Sequence, residues 1–161
     1  MSANELFSWS DSYNVGIQEV DEQHQVLVSL LNHLHEAIRE HHGKATSREI
    51  LDRLAEYTRT HFLLEESLMR LTHYPGLDFH KQQHEELIHQ VRDLQHKLDH
   101  ENAAITFELL HFLKVWLTQH INESDKRFGA YLQAAGLTQY TTGSKEVEKT
   151  MKKKKWWWKF W

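Results

Sequence analysis

An all-α fold, an antiparallel up-down-up-down four-helix bundle with an N-terminal arm, is what this sequence predicts, and three observations carry it. The 161 residues include only 6 Gly and 1 Pro, which argues against a turn-rich all-β protein. Four stretches repeat their apolar residues with the 3.6-residue period of a helix. The connections between those stretches are short, so consecutive helices lie side by side and run antiparallel. The length suits a single domain around one core, and hydrophobic residues make up 40% of the chain. No 20–50-residue repeat is present, which argues against a solenoid.

The elements follow in order. Residues 1–20 read as an arm bearing Phe7, Trp9 and Tyr13 without sustained periodicity. A first helix is predicted from about Asp21 to His41, with His24, Leu27, Val28, Leu31 and Ile38 on one face and Gly43 closing it. Ser47 is the expected N-cap of the second helix, whose stripe is Ile50, Leu54, Tyr57, His61, Glu65 and Leu68. HYPGLD, from His73 to Asp78, is a turn: Pro75 biases its predecessor out of helix, and Gly76 suits a left-handed residue. The third helix is expected from about Phe79 to His100, with His80, His84, Leu87, Ile88, Val91, Leu94 and Leu98 inward. After a break at Glu101–Asn102 the fourth carries Ile105, Leu109, Leu113, Trp116, Leu117 and His120, continues through Phe128, Tyr131 and Leu132, and stops at Gly136.

Histidine is the compositional outlier, with 14 copies, and there is no Cys. Thiolate zinc sites, Fe–S clusters and disulfides are therefore excluded. The polar residues that fall in the apolar seams carry the argument. His61 and Glu65 are four apart, as are His80 and His84, so each pair shares a helix face. His24 and His120 lie in register with leucines, so every inner seam holds an imidazole. Buried imidazoles and carboxylates are costly unless bonded, paired or metal-bound, and a cation satisfies all of them together. Asp125 lies five residues after His120, a step of about 140° on a regular helix. Both face inward only if the helix is distorted between them, as happens at functional sites. Imidazole and carboxylate donors suit iron, zinc, copper or manganese. Seven donors are too many for one tetrahedral zinc and suit two metals sharing carboxylates.

DEQHQ around His24, HFLLE from His61, HKQQH from His80 and HINESD from His120 occur in that order on four predicted helices. This set resembles the hemerythrin family, and YNVGIQEVDEQH resembles its bacterial single-domain members; the likeness spans about residues 7–135. The resemblance implies two iron ions with an oxo or hydroxo bridge. His80, His84 and His120 would hold one, His24 and His61 the other, and Glu65 and Asp125 would bridge them. It further implies reversible O2 binding at the open position of the two-histidine iron, beside pocket positions that fall on Phe62, Trp116, Leu117 and Ile121. The function so implied is an oxygen carrier, store or delivery protein and not an enzyme. The alternatives are an O2 or redox sensor and a di-iron peroxide or nitric oxide reductase. No residue of the pocket set suits proton delivery, which favours reversible binding over O–O cleavage.

The other nine histidines read as mostly surface residues; His35 returns to the His24 face but lies about 16 Å along the helix. Glu86–His89 and Glu108–His111 match the E-x-x-H of ferritin-like proteins, yet both histidines are expected to point away from the leucine seam. Phe107, Phe112 and Trp116 read as packing.

Residues 1–136 are taken as the O2-binding domain and 137–161 as a basic, aromatic tail. Seven Lys and two Glu from Lys145 onward give +5, leaving −9 of the net −4 on the preceding 144 residues. An acidic body is a poor match for nucleic acid, so no nucleic-acid partner is expected. The tail, Lys152–Trp161, combines lysines that favour anionic headgroups with aromatics that favour the interface. It reads either as a peripheral membrane anchor, which would bring O2 to a membrane-bound oxygen-consuming enzyme, or as an inert extension. With no signal peptide and no apolar run of spanning length, a cytoplasmic monomer is expected.

Overall fold

In a computed structural model of the chain, residues 5–137 are described. Four antiparallel helical rods form the bundle, and no strand occurs among the described residues. α1 is Gln18–Arg39, α2 Lys44–Leu71 and α3 Leu77–His100. The fourth rod is compound: α4 (Phe107–Gln119), a π-helical segment (His120–Asp125) and α5 (Lys126–Ala134). α1 packs on α2 and α4, and α2 on α3. The tail beyond Leu137 lies outside the described residues.

The helix ends correct several expectations. α1 begins at Gln18 and stops at Arg39, because His41 takes the left-handed conformation (φ 55°). The His41 N–H then donates to Ile38 O and the His42 N–H to Ala37 O, closing the last turn. Gly43 does not end α1. It is the N-cap of α2 at φ 93°, and Ser47 is a buried residue of the first turn, not the cap. α2 ends by the same device at His73 (φ 53°), so Gly76 has no left-handed role and sits at φ −88° as the N-cap of α3. Thr106 caps α4 by accepting from the Leu109 N–H, which leaves Ile105 before the helix. Gly136, at φ 66°, stops α5 as expected.

The predicted distortion between His120 and Asp125 is the π segment. Its wider turn brings residues five apart onto one face, and Ser124 ties it to α3 by donating to Gln83 Oε1 at 2.7 Å.

Two apolar clusters fill the bundle. Val15, Ile17, Val20, Leu64, Leu68, Met69, Phe128 and Leu132 belong to one; Phe7, Leu31, Leu34, Leu51, Leu87, Leu110 and Leu113 belong to the other. Along the helices the polar residues fall between them: His24 between Val20 and Val28, Glu65 between Phe62 and Leu68, His120 between Leu113 and Phe128. At the far end Arg48 holds Asp99 with two guanidinium nitrogens and Asp52 with a third.

The arm is strapped over the end nearest His24. The Asp21 carboxylate accepts from the Val15 and Gly16 N–H groups at 2.7 and 3.3 Å, and Lys126 Nζ donates to Ser12 O at 2.5 Å. Gly129 makes this approach possible, since a Cβ there would lie 2.0 Å from Val15 O. Gly129→Ala is therefore expected to push the arm off α5 at a cost of about 1–3 kcal/mol, read as a lowered urea midpoint. An unchanged midpoint would show that the arm does not lean on this contact.

Candidate metal centre

The fold brings all seven sequence-selected side chains to one buried place. His24, His61, Glu65, His80, His84, His120 and Asp125 are each at most 5% exposed. Their donor atoms form two sets, each with every atom within 4.8 Å of the others. One set is Glu65, His80, His84, His120 and Asp125; the other is His24, His61, Glu65 and Asp125. The two carboxylates belong to both.

Every imidazole presents Nε2 to the cluster. Glu65 oxygens lie 3.2 Å from Nε2 of His61, His80 and His84 and 3.6 Å from that of His24. Asp125 oxygens lie 3.0–3.1 Å from Nε2 of His24, His80 and His120. Nε2 of His84 and of His120 are 3.0 Å apart. His80 Nε2 and Glu65 Oε2 make a hydrogen bond at 3.2 Å, but proximity does not satisfy the rest. His24 Nε2, Glu65 Oε1 and both Asp125 oxygens are buried without a hydrogen-bond partner. Orphaned donors and acceptors converging at this spacing are what a bound cation relieves. The soft-to-hard mixture of imidazole nitrogen and carboxylate oxygen, without sulfur, suits a first-row transition metal.

The electrostatics agree. Burial alone would raise both carboxylates, and for Asp125 the charge of Glu65 adds to that, yet the surrounding imidazoles hold both well below the usual range. Burial works to lower His24 and His80, but the adjacent Asp125 and Glu65 carboxylates outweigh it and raise each to about 9. Burial lowers His61. At pH 7 the protein groups alone thus keep protons on His24 and His80, which a metal must displace. Metal uptake at pH 7 is expected to release protons, and apparent affinity to rise with pH until it levels above about 9. The metal-free fold behaves in the opposite sense: raised histidines stabilise below 6.5, and that contribution is lost as pH rises through about 9. Calorimetric titrations in buffers of different ionisation enthalpy check this; a pH-independent affinity would contradict it.

Two supporting residues escaped the sequence reading. The His61 Nδ1–H donates to Gln23 Oε1 at 2.6 Å, and the His84 Nδ1–H donates to Glu66 Oε1 at 3.1 Å. Both acceptors are buried. Each directly neighbours a seam residue, Gln23 before His24 and Glu66 after Glu65, and that adjacency was the available signal.

Phe62 lies flat on the His84 ring at 3.6 Å, and Trp116 stacks on His120 at 4.6 Å. Phe62, Trp116 and Leu117 also border an apolar cavity of about 40 Å³ among Leu27, Leu31 and Leu113. Ile121, fully buried, packs in the opposite apolar cluster. Eight of the other nine histidines are exposed, His89 and His111 among them, so no E-x-x-H cluster forms; His35 is half-buried against Phe107.

A four-helix bundle closed around shared carboxylates and five imidazoles defines a cation-binding protein of the histidine–carboxylate class. Residues 15–132 match the family described as the hemerythrin HHE cation-binding domain. A bacteriohemerythrin of Stenotrophomonas maltophilia is 34% identical over 129 residues, covering 80% of this chain and 83% of that one. A bacteriohemerythrin of Methylococcus capsulatus is 28% identical over 130 residues, covering 80% and 98%. The crystal structure of wild-type hemerythrin superposes with a TM-score of 0.73 at 27% identity, covering 78% of this chain and 96% of that one. The chain belongs to the hemerythrin family.

Proposed function

We propose that this protein binds O2 reversibly at two non-haem iron ions, as a carrier, store or delivery protein. The observation that carries the reading is the pair of donor sets that share Glu65 and Asp125. In this reading His80, His84 and His120 would hold one ion and His24 and His61 the other, with Glu65 and Asp125 placed to serve both. The set with His24 and His61 offers one donor fewer, so an ion held there would have room for a small ligand. When bound, the irons supply the electrons that O2 uptake requires.

The protein's own contribution is exclusion. Phe62, Trp116 and Leu117 offer no acidic group, and the Phe62 and Trp116 rings cover His84 and His120 with apolar surface that keeps water and anions from these ligands. Release of O2 is thereby favoured over cleavage of its O–O bond. Iron-loaded protein cycled between argon and air tests this: a visible band should appear with O2 and vanish on its removal over many cycles. Steady turnover of peroxide or nitric oxide with an electron donor, and no reversible band, would make it an enzyme instead.

A reducing, cytoplasmic setting fits the chain's lack of Cys. No helix among the described residues is long and apolar enough to cross a membrane. For Lys152–Trp161 we propose peripheral contact with anionic lipid, supported by its lysine and tryptophan content. The chain should pellet with anionic vesicles more than a chain cut after Thr150; equal pelleting rejects the contact.

A further inference from the structure

We propose that Glu66 is a positioning residue that lowers the reduction potential of the iron held by His84, and that Arg70 moderates its charge. The inference rests on the reading of the cluster as an iron site and adds to it a built-in difference between the two metal positions.

The geometry is one-sided. His84 has Nε2 in the cluster and Nδ1 against Glu66 Oε1 at 3.1 Å, with Glu66 only 6% exposed. The other oxygen of Glu66 lies 3.5 Å from Arg70 Nη2, one helical turn on, and the Arg70 side chain is 54% exposed. His61 is arranged in the same way, but its Nδ1 faces the neutral amide oxygen of Gln23 at 2.6 Å. One ligand in each half is therefore anchored differently: His84 of the three-histidine side by a carboxylate, His61 of the two-histidine side by an amide.

A carboxylate that accepts from the distal N–H of a ligating imidazole draws that proton, fixes the ring and makes Nε2 a stronger donor. A stronger donor favours the more highly charged, ferric ion. An amide oxygen orients the ring as well but carries no net charge, so its effect on donor strength is smaller. Glu66 thus makes His84 the more electron-rich ligand and biases its iron towards oxidation. Arg70 works against it by withdrawing charge from the same carboxylate through the 3.5 Å contact. Because Arg70 reaches the surface, its removal changes the charge felt at His84 without touching the cluster itself.

Opposite signs make the test specific. Iron-loaded full-length protein, Glu66→Gln and Arg70→Gln are compared by iron content and by spectroelectrochemical titration under argon. Glu66→Gln keeps an acceptor oxygen and the side-chain volume but removes the charge. It should weaken ferric relative to ferrous binding by about 10-fold, which is about +59 mV for a one-electron couple. Arg70→Gln, at the surface and remote from packing, should move the potential the other way by less. Potentials that coincide with wild type, or that shift in the same direction in both variants, would overturn the proposal while leaving the iron site intact. Should Glu66→Gln fail to hold iron, the sign for Arg70→Gln alone decides, a fall supporting and no change rejecting. Failure of the unaltered protein to take up iron would instead remove the site assignment on which the inference stands.

Discussion

Glu65→Ala should leave the protein unable to retain metal and less stable by about 3–5 kcal/mol even without metal. Its oxygens lie within 3.2–3.6 Å of Nε2 of four of the five imidazoles, those of His24, His61, His80 and His84. Truncation leaves charged and neutral imidazoles buried with Asp125 as the sole carboxylate among the seven. It also removes a carboxylate that belongs to both donor sets, so loss at one position should bring loss at the other. Metal content after desalting and the urea midpoint of the metal-free protein report the two effects separately. A variant that keeps a full metal load with an unshifted midpoint would show that Glu65 is neither a shared ligand nor the main counter-charge.

Phe62→Ala comes next in size. The ring is 4% exposed, lies parallel to His84 at 3.6 Å and touches Trp116 at 5.9 Å between centroids. Removing it should cost about 3–5 kcal/mol through lost burial and the cavity left behind. The new space would join the apolar cavity of about 40 Å³ already bordered by Phe62, Trp116 and Leu117. Water would then reach the metal ligands, and the O2-bound form should decay to the oxidised form faster than in the parent protein. Phe62→Leu, which refills most of the volume, should fall between them. Equal decay rates in all three proteins would mean that Phe62 supports the fold without shielding the site.

The bundle and its ligand-bearing seams were legible because both depend on period. A residue's face on a helix follows from its spacing, and leucines at three- and four-residue intervals mark which face is buried. The His120–Asp125 distortion could be deduced for the same reason, since two inward residues five apart contradict a regular helix. Helix ends were less legible. His41 and His73 adopt left-handed backbone that glycine favours, which displaced the roles expected of Gly43 and Gly76. A histidine can pay the modest strain of that conformation when the closing hydrogen bonds of the helix are made, and no pattern in the chain announces it. The partners of the ligands were only weakly marked, by adjacency to seam residues, for a different reason. Whether Gln23 and Glu66 point at His61 and His84 depends on how neighbouring helices are rotated, not on either helix alone.

Anomalous diffraction at the iron edge from crystals of the iron-loaded protein tests the central claim most directly. Two iron peaks are expected inside the seven-residue cluster, one bounded by His80, His84 and His120 and the other by His24 and His61, with Glu65 and Asp125 between them. A single peak, or iron found only at the surface histidines, would contradict it.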